Sequence, residues 1–70
     1  PPTDTEARLL SHLTAEPVHV DEICRISGLP VYLVSSTLTM MELKGMVRQV
    51  GGMNYVLARQ AREEYRVKVE

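Results

Sequence analysis

VDEICRISGLPVYLVSSTLTMMELKGM, residues 20–46, reads as two helices joined by a tight turn, and the rest of the chain is organised around it. Ile23 and Cys24 supply an apolar pair on the first of these helices. Where two helices cross closely, the contact residue must be small, and Cys24 behaves as a small hydrophobe that the spacing predicts to be buried. Gly28 follows four residues later and lets the chain leave the helix through a left-handed conformation, which glycine reaches without steric cost. Leu29 is expected to drop into the core between the helices. Pro30 opens the next helix, whose first turn loses nothing by a missing N–H. Val34 and Leu38 continue the inward face. This order of residues is that of a helix-turn-helix.

Length and composition narrow what surrounds that unit. Seventy residues allow one small domain with a modest core. Hydrophobic residues make up 44% of the chain, too many for a disordered one. Phe and Trp are absent, so Leu, Val, Ile, Met and Tyr must build the core. A single cysteine, Cys24, excludes an internal disulfide, and two histidines, His12 and His19, do not make a structural zinc set. No apolar run approaches membrane-spanning length and no signal peptide is evident, so a cytoplasmic setting without membrane contact is expected. The start at Pro1-Pro2 without a methionine points to a segment of a longer protein.

The net charge of −1 is unevenly distributed. Residues 1–43 carry Arg8 and Arg25 against Asp4, Glu6, Glu16, Asp21, Glu22 and Glu42, a charge of −4. Residues 44–70 carry Lys44, Arg48, Arg59, Arg62, Arg66 and Lys68 against Glu63, Glu64 and Glu70, a charge of +3. A polyanion would favour the C-terminal part.

Taken in order, Thr3 and Glu6 fit a capping box, and Leu9, Leu10 and Leu13 give the opening helix an apolar stripe that should run to about Thr14, ahead of Pro17. His12 is expected on the surface. Residues 18–20 fit a very short strand. His19 stands where a capping hydroxyl would be expected, and imidazole is the poorer cap. The helix at about 31–44 turns Val34, Leu38 and Met41 inward. Opposite them lie Tyr32, Ser36, Thr39 and Leu43, with Leu33 and Met40 alongside. No Lys or Arg occurs from Ile26 to Leu43, and Gly45 ends the helix.

VRQV at 47–50 and NYVL at 54–57 alternate in strand fashion around Gly51-Gly52-Met53, the glycines a tight hairpin requires. Phosphate-cradling glycine loops are longer and open a helix, whereas a strand follows here. The expected fold is therefore mainly α with a small β-hairpin: a winged helix-turn-helix over residues 1–57, with a three-helix core plus wing. Residues 58–70 form a charged tail, expected as a short helix that frays into disorder.

Glu16-Pro17-Val18, Asp21-Glu22, Gly28-Leu29-Pro30, the run Met41-Glu42-Leu43-Lys44-Gly45 and Gly51-Gly52 before Tyr55 together resemble the C-terminal winged-helix domain of the DNA-processing protein A (DprA, or Smf) family. The resemblance covers about residues 16–56. It implies an accessory recombination protein that binds single-stranded DNA through a separate Rossmann-like domain and helps load RecA during natural transformation. That central domain is not in this chain, so its activity passes to no residue here.

Two functions compete. The first is weak, non-specific DNA contact through wing and tail, by Lys44, Arg48, Arg59, Arg62, Arg66 and Lys68, with Ser36 and Thr39 as uncharged phosphate donors. About three engaged cations would give a slope of roughly −3 in log affinity against log salt. The second is protein contact through an apolar ridge of Tyr32, Leu33, Met40 and Leu43, of which Leu43 is the readiest to be buried by neighbouring chain. Its partner would be a second copy, the parent's central domain or another recombination protein. A helix that reads base edges normally offers Arg, Lys, Asn or Gln, and this one does not. No cofactor or metal is expected. Catalysis is not expected either: Asp21 and Glu22 are adjacent on a helix and do not face one another, and a buried Cys24 without nearby cations is inert.

Overall fold

The computed structural model describes residues 3–58. Its elements run α1 (Asp4–Leu10), β1 (Val18–His19), α2 (Val20–Ser27), α3 (Val31–Leu43), β2 (Val47–Val50) and β3 (Asn54–Leu57). Three helices thus pack with a small antiparallel sheet of strand order β1-β3-β2, which is a winged helix.

The capping box forms as its residues require: the Glu6 N–H donates to Thr3 Oγ1 and the Thr3 N–H to Glu6 Oε1, both at 3.1 Å. α1 stops at Leu10, short of the expected Thr14. The cause is a tightening of the last turn, where the His12 and Leu13 N–H groups donate to Leu9 and Leu10, three residues back. Leu13 remains buried, so the apolar stripe outlives the α-helix. His12 is half-buried rather than on the open surface.

β1 is held by its partner rather than by its own two residues. Val18 pairs with Tyr55 and His19 with Asn54, making β3 the central strand of a three-stranded sheet. The His19 ring then caps α2 effectively, Nδ1 accepting the Asp21 N–H at 3.0 Å. Asp21 and Glu22 place negative charge in that helix's first turn, where the macrodipole favours it. Gly28 ends α2 at φ 74°. A 114° bend separates α2 from α3, in the range of helix-turn-helix units.

Pro30 is the N-cap of α3 rather than its first helical residue, and α3 begins with no side-chain cap and no acid in its first turn. At the other end the Met46 N–H donates to Met41 and the Gly45 N–H to Glu42, with Gly45 at φ 80°, a Schellman closure. It turns the chain directly into β2, so the wing is aimed by the end of α3. β2 and β3 pair in register from Val47 with Leu57 to Val50 with Asn54. The wing turn is tied back to α2 by the Val20 N–H, which donates to the Met53 carbonyl at 3.0 Å.

The core is Leu9, Leu13, Val20, Ile23, Val34, Leu38, Met41, Val47 and Tyr55, drawn from every helix and from β2 and β3. Each fully buried aliphatic side chain contributes about 1.5–3 kcal/mol. Leu29 packs partly buried against this cluster, as expected, and so does Cys24. Cys24 is therefore half-buried, not enclosed: it edges the α2–α3 crossing, and Ile23 takes the innermost position. The expected helix in the tail lies outside the described residues.

Candidate functional site

Among the described residues, the outward face of α3 and the wing carry most of the candidate contact residues read from the sequence. Along α3, Val34, Leu38 and Met41 are fully buried, which turns Tyr32, Ser36, Thr39 and Leu43 to the opposite side. Tyr32 is 73% exposed, Leu43 77% and Met40 50%. Leu43, expected to be the most readily covered, is thus the barest of the large apolar side chains among the described residues, because the Schellman turn carries the chain away behind it. Leu33 is half-buried on the flank and adds little to the ridge.

The two hydroxyls on this face are already engaged. Ser36 Oγ donates to the Leu33 carbonyl at 3.3 Å and Thr39 Oγ1 to the Ser35 carbonyl at 3.0 Å. Such back-bonding points the proton into the helix and leaves lone pairs outward. To donate to a phosphate, either hydroxyl must first give up its bond to the backbone.

Four cations lie among the described residues, and three are bound internally. Arg8 Nη2 donates to the Ser27 carbonyl at 2.9 Å, fastening α1 to the end of α2. Arg25 forks onto Glu22, three residues earlier on α2, with Nε 2.9 Å from Oε1. The Lys44 ammonium reaches Glu6 across α1, 3.1 Å from Oε1 and 2.8 Å from Oε2. That contact, helped by the Thr3 N–H, holds the Glu6 carboxyl below the usual carboxylate range even though Glu6 is buried. Lys44 is therefore an anchor between α3 and α1, not a bare surface cation. The pairing spans 38 positions and has no local sequence signal. Arg48, on the wing, is exposed and makes no ion pair among the described residues. Arg59, Arg62, Arg66 and Lys68 lie outside those residues.

The remaining chemistry is structural. The Tyr55 phenol is pushed above its ordinary value, first by burial and then by the Glu42 carboxylate. Among the described residues no group of three His, Cys, Asp or Glu side chains gathers to hold a metal, and no single helix is long and apolar enough to cross a membrane.

Fold and surface together define a winged helix-turn-helix domain whose third helix presents hydrocarbon where a base-reading helix presents donors. The DprA winged helix domain model matches residues 1–53, and the chain belongs to that family. Among solved structures, the crystal structure of Pseudomonas aeruginosa HmgR superposes with a TM-score of 0.74 at 20% identity. The match covers 94% of this chain and 27% of that one, a likeness of fold. No curated protein matches the sequence. Family membership supports a DNA-processing accessory domain, and a winged-helix domain of this kind fits a non-enzyme.

Proposed function

We propose that this is a non-catalytic accessory domain of a DprA-like DNA-processing protein, and that its tighter contact is with protein, through the outward face of α3. The setting we infer from the family is DNA recombination in natural transformation, in the cytoplasm, with the parent's central domain within reach as a partner. One observation carries the protein-contact reading: Tyr32, Met40 and Leu43 stand exposed on a face whose hydroxyls are turned inward and which carries no cation. Aromatic and Met side chains are enriched in interface cores, whereas duplex reading needs donors aimed at base edges.

A second contact, weak and non-specific, is favoured by Arg48, exposed and without an ion-pair partner among the described residues, and by the basic residues Arg59, Arg62, Arg66 and Lys68 that follow in sequence. It would serve as a salt-sensitive clamp on DNA through wing and tail.

An NMR titration with short single- and double-stranded DNA at low salt tests the assignment of faces. The expected result is that the amides of Tyr32, Ser36 and Thr39 do not shift, while any shifts gather at Arg48 and the tail and reverse with salt. Saturable shifts on α3 would restore it as a groove reader and overturn the protein-contact reading.

A further inference from the structure

We propose that the partner covering α3 is a second copy of this chain, docked as an antiparallel α3–α3 pair about a two-fold axis; this rests on the protein-contact reading above. A two-fold interface requires that if residue i meets residue j, then j meets i. The outward strip of α3 is Tyr32, Ser36, Thr39 and Leu43, large, small, small and large, and it reads the same in both directions. With the axis between Thr37 and Leu38, Tyr32 of one copy meets Leu43 of the other, and Ser36 meets Thr39. Small central residues let the two helices approach closely, and the large ends fill the space that opens beyond them. Met40, half exposed, flanks this strip on the side of Leu33 and Ser36 and widens the apolar contact.

Charge complementarity favours the same pairing. α3 starts at Pro30 with no side-chain cap and no acid in its first turn, leaving the positive end of its dipole uncompensated. It ends with Glu42 and no basic residue in its last turn, and the adjacent Lys44 is drawn to Glu6. The start thus lacks the acid its dipole favours, and the end carries an acid its dipole disfavours. Antiparallel docking brings the acidic end of each α3 over the uncompensated start of the other. It also holds the two Glu42 residues about 14 Å apart along the axis, at 1.5 Å per residue. No Lys or Arg lies between Ile26 and Leu43, so no like-charged basic side chains are brought together. An isolated face of this kind gains both apolar burial and dipole pairing from its own copy.

Sedimentation velocity over a concentration series, with the 70-residue chain and two variants, tests the pairing. Tyr32→Glu and Leu43→Lys each alter a bare surface position, and far-UV circular dichroism checks that the fold is kept. The wild-type chain is expected to dimerise, each variant alone to weaken dimerisation by about tenfold or more, and an equimolar mixture of the two to regain it, since the new charges face one another only in the antiparallel register. A wild-type chain that stays monomeric at millimolar concentration overturns the second-copy proposal, while the protein-contact reading is still decided by the DNA titration. Dimerisation untouched by either variant, or a mixture that stays as weak as its components, also overturns it.

Discussion

Lys44, at the end of α3, closes a two-pronged ion pair on Glu6 of α1, its Nζ 3.1 and 2.8 Å from the two carboxylate oxygens. Glu6 is nearly inaccessible to solvent, and its other role is to cap its own helix. One carboxylate therefore fixes the start of α1 and the end of α3 together.

The pair makes stability depend on pH in a defined direction. The Glu6 carboxyl is held below its ordinary value of 4.5, by the Lys44 hydrogen bond first, so its contribution is complete above that value. The contribution is lost as pH falls through the lower value of the folded state. Lys44→Met is expected to lower the thermal midpoint at neutral pH. The gap from wild type should close in acid, where Glu6 is protonated in both proteins. Thermal melts over a pH series check this, and a gap that widens in acid would sink the assignment.

Two backbone positions should respond in opposite ways. Gly28 sits at φ 74° with nothing within 4 Å of an added Cβ, so Gly28→Ala meets no clash and carries only the left-handed penalty, about 1–2 kcal/mol. Met53 already bears that penalty at φ 67° on the wing turn. Met53→Asn, a residue that tolerates this conformation, should raise stability by about 0.5 kcal/mol. Denaturant unfolding of both variants reads the two signs directly. A destabilised Met53→Asn would mean that the Met53 side chain, not its backbone, holds the wing turn.

What the sequence made legible was local. Cys24, Gly28, Leu29 and Pro30 announce the turn, Val34, Leu38 and Met41 announce the inner face of α3, and Gly51-Gly52 announces the hairpin. Each of these signals acts within a few residues. What it concealed was non-local or rotational. Val18 finds Tyr55 and Lys44 finds Glu6 only after the chain has folded. The hydroxyl protons of Ser36 and Thr39 turn inward by a choice of rotamer that residue type does not reveal. Residue type therefore set Lys44, Ser36 and Thr39 beside Arg48 as DNA-contact candidates, while in the folded chain only Arg48 of these four is exposed with no side-chain hydrogen bond or ion pair among the described residues.

The two leucines on opposite sides of α3 separate burial from contact. Leu38 is fully buried, and Leu38→Ala should cost about 2–5 kcal/mol, a transfer term plus a cavity. Leu43 is 77% exposed, and Leu43→Ala should stay within about 0.5 kcal/mol in the monomer. Unfolding must be measured at low concentration to isolate that term. A concentration-dependent loss for Leu43→Ala alone would report the contact made by α3, because mass action adds stability only where copies associate. Equal losses at both positions and at all concentrations would mean that Leu43 belongs to the core.

Arg48 provides the clearest test of DNA contact on the wing. It lies on β2 at the edge of the sheet, exposed and with no ion-pair partner among the described residues, so its charge is available to a phosphate. Each phosphate neutralised contributes about −0.9 to the slope of log affinity against log salt on duplex DNA, and about −0.7 on single strands. Arg48→Gln keeps the length and polarity of the side chain and removes its charge. It should weaken binding about equally on all sequences and make the slope shallower by nearly one, as expected for a phosphate contact without base readout. Fluorescence anisotropy with labelled oligonucleotides across a salt series measures both quantities. An unchanged slope would remove the wing from the DNA-contact surface and leave only the basic residues beyond Ala58 to carry it.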